Sequence, residues 1–252
     1  MEKYFNINDA GASIRCKLYA ADPKDVRTLV LYGHGFGGNK DNRAAERLAE
    51  RLIAKNRGAA VLTFDWPCHG DDVRKSLRLP DCDLYLGTIL AWIGRTYPAA
   101  VPYACAVSFG GYLILKYVSE HGDPFRKIAL RCPAVRLYDV LVSSVLTDED
   151  LKKLEKGKPA LIGFDRKVAV DRTYLESVRE ADLTARDFMP YADEILILHG
   201  TKDELVPFGD SKEFAENNVI DFEPVENADH RFQSPEKMDF AIAKICAYFG
   251  LK

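Results

Sequence analysis

The sequence predicts an α/β domain with a mostly parallel central sheet, helices on both of its faces and an antiparallel hairpin at the N-terminal edge. Three observations carry that prediction. Short continuous apolar runs recur along the chain, as expected of strands buried on both faces. Segments with apolar residues three and four apart lie between those runs, so strand and helix alternate. Only the N-terminal stretch alternates apolar with polar residues, the pattern of a sheet edge.

Taken in order, Tyr4–Ile7 and Ile14–Tyr19 flank Gly11 and read as the hairpin. Leu29–Tyr32 is the first buried strand. Ala45, Leu48, Ala49, Leu52 and Ile53 share one helical face, which Gly58 can end. Ala60–Phe64 is the next strand, and Leu86, Ile89, Leu90 and Ile93 form a second helical stripe. Tyr103–Val107 is a strand that runs straight into a helix from Phe109 to about Ser119, stopped near Gly122. Ile128–Leu130, Ile195–Leu198 and Val219–Val225 complete the strands. Met238, Ile242, Ile245 and Phe249 stripe a terminal helix, with Ser234-Pro235 as cap and first turn and Gly250 as stop.

One region breaks this rhythm. From Pro133 to Met189 no strand run is evident, and Asp148–Leu154 reads as a short helix before Gly157, Pro159 and Gly163. The stretch is too long for a plain connection. The expected organisation is therefore a core of residues 1–132 and 190–252, with residues 133–189 as a helical cap or lid. The alternative is a pair of ordinary surface helices.

A chain of 252 residues can bury a large core without metal or disulfide staples. A formal net charge of −3 offers no basic face for nucleic acid. No apolar stretch approaches the ~18 residues of a membrane span, and Met1–Asn6 lacks the apolar core of a signal peptide. The six cysteines are scattered without CxxC or metal-ligand spacing. They read as small buried hydrophobes in a reduced cytoplasm, the alternative being an exported chain with disulfides.

Four segments carry chemistry. Ser108 follows a buried strand and precedes a helix, with Ala106, Gly110 and Gly111 leaving room around it. This resembles the G-x-S-x-G nucleophile elbow of the α/β-hydrolase family, with Ala106 at the first position instead of Gly. His34-Gly35-Phe36-Gly37-Gly38 follows the first buried strand and resembles that family's oxyanion loop. His199-Gly200-Thr201-Lys202-Asp203 through Val206-Pro207 matches the stretch that holds the family's acid. Ala228-Asp229-His230 matches its histidine loop. The order Ser108, Asp203, His230 is the family's order, and all three sit at or beyond the carboxyl edge of the sheet, where open α/β sheets bind ligands.

The resemblance, which runs from Thr28 to Lys252, implies an α/β-hydrolase fold and a serine hydrolase that cleaves carboxylic esters. Ser108 would be the nucleophile, His230 the base, and Asp203 the residue that orients it. The backbone N–H groups of Phe36 and Phe109 would form the oxyanion hole. No metal or organic cofactor is required. The partner would be a small-molecule ester, handled by a monomer or homodimer, with activity rising around the ordinary histidine pKa of ~6.5.

Asp65 to Gly70 resembles the family's D-x-x-GHG loop, with Cys68 where Gly is usual and His69 as a structural residue. Cys68 beside His69 invites a thiol reading, but adjacent residues do not easily align a nucleophile with its base. Glu204 could replace Asp203 as the acid; Asp229 would shape the histidine loop and His199 would pack or hydrogen-bond. The HGFGG loop, the ADH loop and the mid-sized insert are similar to those of small bacterial cinnamoyl and feruloyl esterases. That likeness makes Trp66, Tyr138, Phe164 and Tyr174, together with Phe36, candidate substrate-binding residues, each with core packing as the alternative. Rival activities are a peptidase or thioesterase on the same fold and a non-catalytic ligand-binding homologue. A haloalkane dehalogenase would need a carboxylate where Ser108 stands.

Overall fold

The computed structural model describes residues 1–163 and 166–250. It opens with strands β1 (Glu2–Asp9), β2 (Ala12–Ala20) and β3 (Thr28–Gly33), followed by helix α1 (Arg43–Lys55) and strand β4 (Ala59–Phe64). Helix α2 (Leu79–Thr96), strand β5 (Val101–Val107), helix α3 (Phe109–His121) and strand β6 (Ile128–Arg131) come next. The insertion then contributes α4 (Leu137–Val140), α5 (Asp148–Glu155), the short strands β7 (Ala160–Ile162) and β8 (Val168–Val170), and α6 (Arg172–Glu180). The chain closes with β9 (Ile195–Gly200), α7 (Phe208–Asn218), β10 (Asp221–Val225) and α8 (Pro235–Phe249).

Eight strands form one open sheet in the order β1-β2-β4-β3-β5-β6-β9-β10. Strands β3 to β6, β9 and β10 run parallel, and β2 is antiparallel to both β1 and β4. This is the α/β-hydrolase fold with its N-terminal hairpin. Side chains of a strand point alternately to the two faces, so β3 sends Leu29 and Leu31 into one apolar layer and Val30 and Tyr32 into the other. Helices α1 and α8 cover the second layer; α2, α3, α6 and α7 cover the first.

Local chemistry sets the helix ends. The Asn42 side chain caps α1 by accepting from the N–H groups of Ala44 and Ala45. That helix stops at Asn56, two residues before Gly58. Pro235 opens α8, although Ser234 makes no side-chain cap bond, and Gly250 ends it at φ 64°. Val219 is not in the last strand. It takes a left-handed conformation at the end of α7, and the strand starts at Asp221.

The insertion is not wholly helical. Strands β7 and β8 pair as an antiparallel hairpin, burying Ala160, Ile162, Val168 and Val170. Three residues per strand are too few for their alternation to register in a sequence window. Helix α4 continues into one π-helical turn over Leu141–Val145, and a Thr147–Asp150 capping box starts α5. Helix α6 packs Tyr174, Leu175 and Val178 into the same core as the sheet.

Candidate active site

Ser108 stands between β5 and α3 with φ 52° and ψ −116°, outside the regions that L-residues favour. Such strain costs about 1–3 kcal/mol and must be held by the surroundings. Here the Ser108 N–H donates to the Arg131 carbonyl at 3.0 Å, and its own carbonyl accepts from Tyr112 and Ala134 at 3.0 and 3.2 Å. Space comes from small neighbours. A Cβ on Gly110 would lie 2.5 Å from the Gly33 carbonyl oxygen, and one on Gly111 would lie 2.9 Å from Pro133 Cβ. Ala106 pairs with Gly33 across β5 and β3. A Cβ at Gly33 would sit 3.3 Å from that of Ala106, so glycine on the neighbouring strand makes room for alanine in the elbow.

The loop after β3 lies against this turn. A Cβ on Gly35 would come 3.5 Å from Ser108 Cβ, and the Phe36 and Phe109 rings meet edge-on at 5.4 Å. The N–H of Phe109 opens α3, where a helix has no acceptor of its own to offer. His34 anchors the loop from below. Its Nδ1 contacts the Gly35 carbonyl at 2.8 Å, its Nε2 accepts from the Trp66 N–H at 3.3 Å, and Trp66 Nε1 donates to the His34 carbonyl. Burial, then the nearby His69, pulls the His34 pKa down to about 3, so the ring is a neutral bracket.

His69 is also buried, with Nδ1 2.8 Å from the Pro67 carbonyl, and burial pulls its pKa down to about 4. Its ring stacks on Phe109 at 5.7 Å. Beside it Cys68 occupies φ 67°, which explains why glycine suits this position. Burial pushes the Cys68 thiol up to about 11. A protonated thiol beside a neutral buried imidazole is the opposite of an activated pair.

The acid and the histidine come from adjacent loops after β9 and β10. Gly200 lets them cross, since a Cβ there would strike the Ala228 carbonyl. Asp203 Oδ2 takes His230 Nδ1 at 2.7 Å and His199 Nε2 at 3.1 Å, while Oδ1 accepts the N–H groups of Leu205 and Val206. Burial pushes the Asp203 carboxyl upward, but the hydrogen bonds from His199, His230 and Val206 outweigh it and hold the carboxyl below its ordinary value. Glu204 instead accepts the backbone N–H of His230 at 3.2 Å, and Asp229 accepts that of Gln233 at 2.9 Å. Both therefore hold the loop and neither meets the imidazole. His199 is thus more than core packing: it is a second imidazole on the acid.

Ser108, His230, Phe36 and Phe109 line one cavity of about 320 Å³. Leu137, Val140, Leu141 and Val145 of the insertion form its apolar wall, with Val107, Leu205, Val206 and Met238. Three expected substrate residues are elsewhere. Trp66 is fully buried under the His34–Gly38 loop, where its indole N–H donates to the His34 carbonyl. Tyr174 is fully buried in the core. Tyr138 borders a separate small depression with Tyr112 and Asp182, because its neighbours Leu137 and Val140 take the cavity-facing side of their helix. Phe164 lies outside the described residues. The real wall had a legible signal, the i, i+3, i+4 spacing of Leu137, Val140 and Leu141. The cavity also takes Arg131, a charged residue closing the apolar run Ile128–Leu130.

Among the described residues, two side-chain groups could be weighed as metal ligands. Donor atoms of Cys132, Asp203 and His230 lie within 4.8 Å of one another. The acid and imidazole already bind each other, and burial and the Asp203 charge push the Cys132 thiol well up. Asp83 and Glu120, grouped with His121, both accept from Lys116 Nζ at 2.6 Å, and Glu120 also pairs with Arg186 at 3.0 Å. Each set is accounted for as hydrogen bonds or ion pairs.

Comparison with known proteins agrees with this architecture. Residues 28–166 match the model of the alpha/beta hydrolase fold family. Est1E from Butyrivibrio proteoclasticus superimposes with a TM-score of 0.77 at 14% identity, covering 98% of this chain and 99% of that one. Est1E is also known with ferulic acid bound, and that structure gives a TM-score of 0.74 at 16% identity over 98% and 99% of the two chains. A monoacylglycerol lipase from Paleococcus ferrophilus gives 0.66 at 19% identity, over 95% and 99%.

Proposed function

This chain belongs to the alpha/beta hydrolase family, and from that premise we propose that it is a serine hydrolase that cleaves carboxylic esters through an acyl-enzyme. The observation that carries the reading is the 2.7 Å bond from His230 to a buried Asp203, in a cavity that His230 shares with Ser108 on its strained turn. In this mechanism Ser108 Oγ attacks the ester carbonyl and His230 Nε2 takes its proton. Asp203 holds the Nδ1–H tautomer and stabilises the imidazolium, assisted by His199. The Phe36 and Phe109 amides receive the oxyanion, a contribution of ~3–4 kcal/mol at the transition state. His230 then protonates the leaving alkoxide. Water, deprotonated by the same imidazole, attacks the acyl-enzyme and releases the acid and Ser108.

Residues 133–189 act in this reading as a cap whose first helix forms the acyl-chain wall. That wall is aliphatic, which suits a flexible short acyl chain better than a flat cinnamoyl group. The likeness to a monoacylglycerol lipase on the same scaffold supports ester cleavage over peptide cleavage. Hydrolysis of 4-nitrophenyl acetate and butyrate by wild type and Ser108→Ala tests the proposal. Loss on the order of 10⁶-fold in a folded variant is expected of a nucleophile. Unchanged turnover in Ser108→Ala would sink it.

A further inference from the structure

The buried cations of this protein are not treated alike. Lys17, Lys40, Lys116 and Arg131 are the buried Lys and Arg residues among those described. Lys17 meets Glu2 at 3.0 Å, Lys40 meets Asp65 at 3.2 Å, and Lys116 meets Asp83 and Glu120 at 2.6 Å. Arg131, 8% exposed, has no carboxylate within ion-pair distance among the described residues. Its Nη1 donates to the Met238 thioether at 3.0 Å, its Nε has no partner, and the guanidinium lies 5.1 Å from the Phe232 ring centre. A thioether is a weak acceptor, and one ring face returns less than the desolvation of a guanidinium costs. A water molecule could take the Nε–H, but not the charge.

Arg131 borders the cavity that holds Ser108, and its backbone carbonyl fixes the Ser108 amide. Arg43, exposed and without an ion pair among the described residues, borders the same cavity. Among the described residues, no aspartate or glutamate lines that cavity. A cationic, partly apolar chamber beside a nucleophile is suited to a substrate with an apolar stem and an anionic head.

We propose that the physiological substrate is an ester bearing a carboxylate, with Arg131 as the specificity-determining residue that binds it and Arg43 at the mouth drawing it in. This rests on the serine-hydrolase reading above. A guanidinium receives a carboxylate through two parallel N–H donors, which fixes orientation as well as charge. Its distance from Ser108 then selects the length of the stem. Hydrolysis adds one water across the ester bond and releases a second carboxylate and an alcohol; the substrate's own carboxylate is unchanged and stays on whichever fragment carried it.

The test compares charged and neutral ester pairs of equal length. Mono-(4-nitrophenyl) glutarate against 4-nitrophenyl pentanoate puts the charge on the acyl side; 4-(butanoyloxy)benzoate against its methyl ester puts it on the alcohol side. Wild type is expected to prefer the charged member of one pair by at least about tenfold in kcat/KM. Arg131→Gln should lower that preference ten- to a hundredfold, Arg131→Lys should keep part of it, and added salt should weaken it. No preference in either pair, or one that survives in folded Arg131→Gln, overturns the proposal. Calorimetric binding of glutarate to wild type and to Arg131→Gln separates the two readings. If no ester is cleaved and Ser108 resists fluorophosphonate, glutarate binding that Arg131→Gln abolishes keeps the anion site while the hydrolase reading falls. No glutarate binding in that case overturns the anion site too.

Discussion

Replacing Gly110 with alanine sets two known effects against each other. Gly110 lies in the first turn of α3, where alanine would ordinarily be favoured by about 1 kcal/mol. The added Cβ would meet the Gly33 carbonyl oxygen at 2.5 Å, the His34 oxygen at 2.6 Å and the Gly33 carbonyl carbon at 2.8 Å. All three are backbone atoms, so no side chain can swing aside. Restoring an ordinary contact requires α3 to move off the end of β3 by roughly 0.9 Å. Overpacking typically costs about 1–3 kcal/mol, and the rigid partners place this case at the upper end. The net expectation is a loss of about 2 kcal/mol, or about 4–8 °C in Tm for a chain of this size. Activity should suffer more. The clash separates the Ser108–Phe109 side of the site from the His34–Phe36 side, widening the distance between the two proposed oxyanion donors. Loss of one such donor costs about 10²–10³ in kcat. Steady-state hydrolysis of 4-nitrophenyl butyrate with thermal melts would read both effects. Gly94→Ala is the control, because nothing lies within 4 Å of a Cβ there and it should stabilise by up to about 1 kcal/mol. A Gly110→Ala protein with wild-type kcat and the stability of Gly94→Ala would refute the reasoning.

Three other measurements follow from the same geometry. His34 and His69 are neutral in the fold, with pKa values pulled to about 3 and about 4 by burial, whereas the unfolded chain takes a proton near ~6.5. The unfolded state thus binds more protons as pH falls below ~6.5, and each histidine should remove about 2 kcal/mol of stability between pH 7.5 and 5. His69→Gln should flatten that slope in urea titrations; an unaltered slope would count against it. His199→Phe should lower kcat about tenfold and move the acid limb of its pH profile, with partial recovery in His199→Gln, because both changes act through Asp203; a loss of stability alone would leave the pH profile in place. All six cysteines are free and buried, and burial pushes Cys16 and Cys105 up to about 12, so thiol reagents should react slowly with native protein and with six thiols once it is unfolded.

Most of the strands and helices of the core were legible because their signals are local; the three-residue strands β7 and β8 were too short to read. Leu29 to Tyr32 is apolar on both faces, and Leu48, Ala49 and Leu52 repeat at the helical period, wherever the rest of the chain goes. The elbow was legible for the same reason, since Ser108 needs small neighbours within its own turn. The order of Ser108, Asp203 and His230 could be read because the sheet topology constrains which loops reach its carboxyl edge.

Aromatic content, by contrast, says nothing about the side a ring faces. Trp66, two residues past the end of its strand, turned inward to bracket His34, and Tyr174 went to the core. The cavity wall came from aliphatic residues of α4 instead. Ala106 in place of glycine was an anomaly in the sequence, resolved only by its pairing with Gly33 on a strand far away in the chain. The same holds for the charges. In sequence, Lys116 and Arg131 are two cations in apolar surroundings; in three dimensions one has two carboxylates and the other a thioether. Periodicity and small-residue spacing are properties of the chain itself, so the sequence alone determined most of the core elements and the order of the reactive residues. What a side chain meets depends on how distant segments pack, and so only the tertiary structure decided what lines the cavity and which charge there lacks a counterion.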